Sequence, residues 1–190
     1  MQTYTEHEFE AVPGLPEALP AGEHILWQGS PDWKRLALNA FHVRRLALYF
    51  GLMIALQAIM IWDASHSLRA NLGPLMLSAL LALISLGLLA VTAWLSASTT
   101  MYTLTNKRVV MRIGIVLCIT LNLPLRQIRG AAVLADNNGQ GDIALALAGK
   151  ERIGWLHLWP HARPWHLKDP QPMLRGVRDV QVVAAKLLAA

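Results

Sequence analysis

The chain has 190 residues, of which 54% are hydrophobic and 15% are charged. So much apolar surface excludes a disordered chain, and so few charges exclude an ordinary surface that faces water on all sides. The single cysteine excludes an intrachain disulfide framework and a multi-cysteine zinc site. A net charge of +5 allows nucleic acid as a partner until the distribution of the charges is considered.

The N-terminal part is acidic. The first 33 residues contain six acidic residues and no lysine or arginine. We expect residues 1–22 to be a mostly irregular tail, either solvated or held electrostatically on a basic partner. His24–Gly29 predicts a short first strand, ended by a turn at Ser30–Asp32. Residues 23–40 are therefore interpreted as this strand and the chain that leads to a membrane.

Two uncharged runs follow the first strand. Leu46–Trp62 contains 17 residues without a charge, and Ala70–Asn106 contains 37. About 20 apolar residues are needed to cross a hydrocarbon core of roughly 30 Å. The first run reaches this length if Arg44 and Arg45 extend their side chains to the membrane surface. The alternative interpretation is a pair of buried helices in a soluble protein.

The two runs predict a transmembrane hairpin over residues 41–96, with helices at about 43–62 and 74–95. Lysine and arginine number four before the hairpin, one in its loop and twelve after it. Because basic residues concentrate on the cytoplasmic side of a membrane, both termini are expected in the cytoplasm.

After the hairpin, residues 97–190 are predicted to form a cytoplasmic domain of short strands separated by turn residues. Apolar residues at helical spacing predict a C-terminal helix at about 173–188. The predicted fold is an α+β membrane protein, in which a two-helix transmembrane hairpin is inserted in a pleckstrin-homology (PH)-like antiparallel β-barrel capped by a C-terminal helix. The predicted strands after the hairpin are Thr99–Thr105, Arg108–Arg112, Ile115–Leu123, Gln127–Leu134 and Asp142–Ala148.

The segment Leu156–Leu167 combines three histidines with two tryptophans. Pro160 and Pro164 break the helix that could gather the histidines around a metal ion, so no metal site is predicted. Tryptophan is favoured at the centres of binding interfaces. We therefore predict that this segment packs on the barrel or on a partner protein. Its candidate interface residues are His157, Trp159, His161 and Trp165.

The first apolar run also contains candidate interface residues. Gly51 and Ala55 form a pair of small residues that lets helices approach closely, and Gln57 is a polar residue that could bridge two helices. The partner of this face is either the second helix of the hairpin or another protein, and a homodimer is allowed.

The sequence offers little support for catalysis. The apolar runs contain no charge and no histidine, which disfavours pigment ligation, and we expect a non-catalytic protein without a cofactor. The basic residues after the hairpin favour contact with anionic membrane lipids. Nucleic acid is not an expected partner, because no basic run is interleaved with stacking aromatic residues.

Two segments that flank the hairpin, Gly22–Pro31 and Tyr102–Val110, resemble bacterial PH-domain membrane proteins. In those proteins the first strand precedes the hairpin and the other strands follow it. Four further segments are similar to the PuhB family of photosynthetic complex assembly proteins of purple bacteria. These segments are Arg112–Ile115, Leu121–Pro124, Gly141–Leu147 and Leu156–Trp165.

The resemblance implies a non-catalytic assembly factor for the photosynthetic reaction centre. Its implied partners are the reaction-centre subunits, the H subunit first, together with the core antenna and membrane lipids. The implied location is the bacterial inner (intracytoplasmic) membrane. The alternative is a general PH-like membrane module that binds anionic lipid or an envelope protein.

Overall fold

The computed structural model describes residues 14–15, 17–67, 69, 72–148 and 153–190. The fold begins with strand β1 (Ile25–Gly29), a short helix α1 (Trp33–Arg35) and a π-helical turn at Leu36–Ala40. Asp32 starts α1, because its carboxylate accepts hydrogen bonds from the first backbone N–H groups of the helix. The predicted acidic tail falls largely on residues 1–13 and 16, which lie outside the described residues.

Two long helices follow, α2 (Val43–Ser65) and α3 (Leu72–Thr99). At 1.5 Å per residue they extend about 35 and 42 Å, against roughly 30 Å for a hydrocarbon core. By length and composition, both helices can cross a membrane. None of the most apolar part of α2 and only 6% of that of α3 is buried. The alternative of two core helices in a soluble protein requires mostly buried helices, which these are not.

Helix α3 crosses the predicted domain boundary between residues 96 and 97 and ends at Thr99. The predicted strand Thr99–Thr105 accordingly begins only at Met101. The hydroxyl groups of Ser98 and Thr99 donate hydrogen bonds to the carbonyl oxygen of Leu95, at 2.9 and 3.0 Å. These hydrogen bonds keep Ser98 and Thr99 in the last helical turn, so the helix ends later than the sequence predicts.

The first of two antiparallel sheets has the strand order β1-β2-β3-β4. β1 pairs with β2, and Gln28 lies opposite Thr103 with a side-chain hydrogen bond of 3.0 Å. The strand before the helix pair therefore joins the strands after it, as the sequence predicts. The later strands of this sheet are β2 (Met101–Thr105), β3 (Arg108–Ile113) and β4 (Ile119–Pro124).

The chain before β1 is fixed by Glu23, whose side chain is 3% exposed. Its carboxylate accepts hydrogen bonds from Arg108 Nε at 2.7 Å and from Thr105 Oγ1 at 2.8 Å. Burial alone raises the pKa of Glu23, but these hydrogen bonds and the positive charges of Arg108 and Lys107 together lower it overall. The carboxylate is therefore ionised at neutral pH and holds the start of β1 against β2 and β3.

The second sheet has the order β5-β6-β7, with β5 at Ile128–Ala135, β6 at Gly141–Leu147 and β7 at Met173–Val177. A 3₁₀ turn at Leu125–Gln127 redirects the chain after β4, and no ladder joins β4 to β5 among the described residues. The prediction of a closed barrel is therefore wrong. The apolar core lies between two open sheets and is covered by helix α5 (Val180–Ala189).

The prediction of a C-terminal helix at 173–188 is correct only for its second part, because residues 173–177 form strand β7. Gly176 adopts φ +59°, and an added Cβ would meet the backbone nitrogen of Asp32 at 2.8 Å. Asp179 is also left-handed, with φ +50°, so α5 starts only at Val180. Met173 and Val177 are buried in a strand, where their four-residue spacing imitates a helical face.

The strand predicted at Ile115–Leu123 begins at Ile119 instead. Gly114 adopts φ +123°, and a Cβ there would clash with the carbonyl oxygen of Leu117. The chain therefore makes a tight turn, in which Val116 and Leu117 are 88% and 82% exposed. Only a glycine fits this conformation without strain.

The helix pair is fixed to the sheets at its base. Arg35 forms an ion pair with Asp136 at the β5–β6 turn, and Asp32 N–H donates to the Gly176 carbonyl at 3.1 Å. A second apolar cluster fills the space between α1, the π-helical turn and α3. Its buried members are Leu36, Ala37, Phe41, Ala93 and Ala97.

Candidate interface at the base of the helix pair

The histidine and tryptophan segment connects β6 to β7 and contains a short helix α4 (Trp155–Leu158). Backbone hydrogen bonds close the segment beyond this helix. Arg163 N–H donates to the Gln171 carbonyl at 2.9 Å, and Met173 N–H donates to the His161 carbonyl at 2.7 Å. These bonds hold the chain on both sides of residues 163–171, which include the exposed Trp165 and Leu167.

His161 lies in the core, at 0% exposure. Its Nδ1 is 2.7 Å from the Tyr102 hydroxyl and its Nε2 is 3.2 Å from Thr100 Oγ1. The Tyr102 oxygen also accepts a hydrogen bond from Arg175 N–H at 3.2 Å. This cluster joins β2, the segment and β7. His161 is thus a structural residue, and the prediction that it contacts a partner is corrected.

The protonation states in this cluster follow from burial. Burial, assisted by the charge of Arg175, lowers the pKa of His161 to about 3. Burial also raises the pKa of Tyr102 well above its ordinary value. Both side chains are therefore neutral at pH 7. As a neutral ring, His161 forms hydrogen bonds with the hydroxyl groups of Tyr102 and Thr100 through its two nitrogens.

Trp159 links the segment to the helix pair. Its ring is 45% exposed and lies edge-on to Phe41, with ring centroids 5.1 Å apart and planes at 70°. Phe41 is buried and lies two residues before the start of α2. Trp159 therefore packs against the chain itself with part of its ring, and this contact places the segment beside the start of α2.

Trp165 is the most exposed candidate, at 95%. It adopts φ +63°, a conformation that is uncommon for bulky residues. Leu167 nearby is 65% exposed, and on α4 Leu156 is 81% exposed. His157 is exposed and lies against Gly154, where an added Cβ would approach its Nδ1 within 2.8 Å. The segment thus carries apolar side chains that are exposed in the part of the chain that the structure describes.

The three candidate interface residues on α2 have different surroundings. Gly51 and Ala55 are exposed, and a Cβ at Gly51 would meet no atom within 4 Å. These two residues therefore do not pack against α3. Gln57 is half-buried and lines a shallow groove between α2 and the start of α3, together with Leu56, Met60 and Pro74. The candidates on α2 and those on the segment form separate surfaces.

A cavity of about 690 Å³ lies between the start of α2, the second sheet and the segment. Its charged lining consists of Arg44, Arg45, Arg163 and Arg175 with one carboxylate, Asp142. Sequence reasoning interprets the first two arginines only as membrane-surface residues. No pattern in the sequence could assign them to one site with Arg163 and Arg175, because the fold alone brings them together.

Within the described residues, no group of three or more histidine, cysteine, aspartate or glutamate side chains could hold a metal ion. Cys118 is a free, exposed thiol in the β3–β4 turn.

Comparison with known proteins gives three findings. Residues 44–190 match the family described as bacterial PH domain. An uncharacterised 23.7 kDa protein in the puhA 5′ region of Rhodobacter capsulatus is 35% identical over 186 residues, which cover 97% of this chain and 87% of that protein. A crystal structure of a DUF1696 family protein with a PH domain, from Shewanella loihica, is 16% identical with a TM-score of 0.31, covering 47% of this chain and 69% of that chain.

Proposed function

Since the chain belongs to the bacterial PH domain family, we propose that it is a non-catalytic, PuhB-type assembly factor for the photosynthetic reaction centre and its core antenna. In this proposal α2 and α3 anchor the protein in the bacterial inner (intracytoplasmic) membrane, with both termini in the cytoplasm. The PH-like domain then docks on reaction-centre subunits, the H subunit first.

The observation that carries the proposal is the relative from Rhodobacter capsulatus. That protein is described by its position in the puhA 5′ region, which supports a photosynthesis-related role for this chain. The similarity extends over 97% of this chain, so it includes the helix pair, both sheets and the segment between β6 and β7. A common role is therefore proposed for the whole chain and not only for the PH-like domain.

The geometry supports docking beside the membrane. Trp165 and Leu167 are 95% and 65% exposed, and an exposed tryptophan is a favoured centre of a binding interface. The contact between Trp159 and Phe41 holds this part of the chain close to the start of α2. A membrane-embedded partner could thus contact the segment and the exposed faces of the helices together.

Deletion of the gene in a phototrophic host tests the proposal. We expect less assembled reaction centre, measured by membrane absorbance and subunit immunoblots, whereas pigment synthesis continues. The wild-type gene should restore assembly, and a gene with Trp165→Ala and Leu167→Ala should restore less. The matched control is Val116→Ala with Leu117→Ala, which removes exposed apolar side chains from the β3–β4 turn, at 88% and 82% exposure. Normal reaction-centre levels in the deletion strain would contradict the proposal.

A further inference from the structure

The basic cavity at the base of the helix pair has the chemistry of an anion site. Four arginines line it, against one carboxylate among the described residues. Asp142 is already engaged, because its Oδ1 accepts from Gly176 N–H at 2.8 Å and its Oδ2 is 4.0 Å from Arg175 Nη1. The cavity therefore has an excess of positive charge that the described residues do not neutralise.

The arginines retain donors for a ligand. Arg44 and Arg45 form no ion pair with any described residue. One nitrogen of Arg163, Nη1, donates to Gln171 at 2.8 Å, which fixes the guanidinium and leaves its other N–H groups available. A planar guanidinium with free N–H groups is suited to bidentate contact with phosphate.

Arg175 gives a second, independent observation that favours an anionic ligand in the cavity. Its side chain is buried, Nη2 donates to the Ala162 carbonyl at 2.9 Å, and Nε has no acceptor among the residues that the structure describes. Burial lowers the pKa of Arg175, although Asp142 opposes this effect. Arg175 lines the cavity, and an anion bound there would offset part of the cost of burying its charge.

The start of α2 adds to the positive potential. His42 lines the cavity and precedes the first turn with φ +54°, and no side chain caps that turn. The first N–H groups of a helix lack partners within it, and they carry the positive end of the helix dipole. The 23 residues of α2 contribute their aligned peptide dipoles at this end.

The position of the cavity identifies the source of the anion. Arg44 and Arg45 belong to the first turn of α2, and the uncharged run begins directly after them. If α2 spans the membrane, these residues lie at the level of the lipid headgroups. We propose that the cavity binds the headgroup phosphate of an anionic phospholipid. This inference goes beyond the assembly role, and it rests on the proposed insertion of α2 in the membrane.

The test is a titration of phosphatidylglycerol, incorporated into phosphatidylcholine nanodiscs that contain the full-length protein, with bound lipid counted by native mass spectrometry. At about a fivefold loss of affinity for each arginine, Arg163→Gln should weaken binding about fivefold and Arg44→Gln with Arg45→Gln about 25-fold. The control is Arg126→Gln with Arg178→Gln, which removes two exposed charges outside the cavity. Binding to the control should be unchanged.

Two results would overturn the inference. One is equal phosphatidylglycerol binding by the wild type and both cavity variants, and the other is an equal loss in the control, which would show a general charge effect. Free phosphate is examined in a separate arm, with inorganic phosphate as the competitor. Full displacement of the lipid by inorganic phosphate would reassign the cavity to the free anion. Because Arg163 lies outside α2, its variant keeps the test valid even if loss of Arg44 and Arg45 disturbs insertion.

Discussion

Lowering the pH from 7 to 5 is expected to destabilise the fold through His161. Burial of the ring, with the nearby charge of Arg175, gives this histidine a pKa of about 3 in place of the ordinary 6.5. In the unfolded chain the imidazole binds a proton as the pH falls through 6.5, whereas the folded state stays neutral until about pH 3. The unfolded state therefore binds more protons over this interval, and the free energy of unfolding decreases as the pH falls.

The size of the effect follows from the same two pKa values. Each pH unit below the pKa of the unfolded state contributes about 1.4 kcal/mol, so that about 2 kcal/mol is lost at pH 5 relative to pH 7. That is a large part of the 5–15 kcal/mol that typically separates folded from unfolded proteins. The contribution of His161 is fully present above about pH 6.5, the ordinary pKa.

The assay is thermal unfolding of the full-length protein in detergent micelles, followed by tryptophan fluorescence at pH 7 and at pH 5. His161→Gln should be less stable than the wild type at pH 7, because it disturbs the hydrogen bonds to Tyr102 and Thr100. Its further loss between pH 7 and pH 5 should be about 2 kcal/mol smaller than that of the wild type. His157→Gln, at an exposed position, should behave like the wild type. Equal losses for the wild type and His161→Gln would refute the reasoning.

Three further predictions concern other parts of the chain. Tyr102→Phe removes a hydroxyl shared by two buried groups and should lower stability by about 2 kcal/mol, measured by thermal unfolding; an unchanged midpoint would contradict this. Glu23→Gln removes the carboxylate paired with Arg108 and should cost about 2 kcal/mol in the same assay, unlike the surface substitution Glu17→Gln. Cys118 is exposed, so a membrane-impermeant maleimide should label it in inverted vesicles only; labelling from the periplasmic side would reverse the proposed topology.

The elements that sequence reasoning predicted correctly have strong local signals. The helices follow from long uncharged runs, and β1 follows from a short apolar run before a turn. The pairing of β1 with β2 on either side of the inserted helices was predicted from the resemblance to bacterial PH-domain membrane proteins. The observed pairing, with Gln28 opposite Thr103, agrees with it.

The errors occur where local patterns are ambiguous or where distant contacts decide. Met173 and Val177 have helical spacing, but Gly176 between them has a left-handed backbone conformation, and residues 173–177 pair with β6 as strand β7. The composition of the histidine and tryptophan segment does not reveal that His161 is buried and Trp165 is exposed. The cavity could not be predicted, because its arginines are distant in sequence and meet only in the folded chain.

The central claim is that exposed apolar side chains of the segment dock on reaction-centre subunits. The most direct test is affinity capture of the full-length protein from phototroph membranes, with mass spectrometry of the bound proteins. The proposal predicts enrichment of the H subunit and core antenna polypeptides. This enrichment should be lost with Trp165→Ala and Leu167→Ala and retained with Val116→Ala and Leu117→Ala. Capture of envelope proteins without reaction-centre subunits, or equal enrichment by all variants, would contradict it.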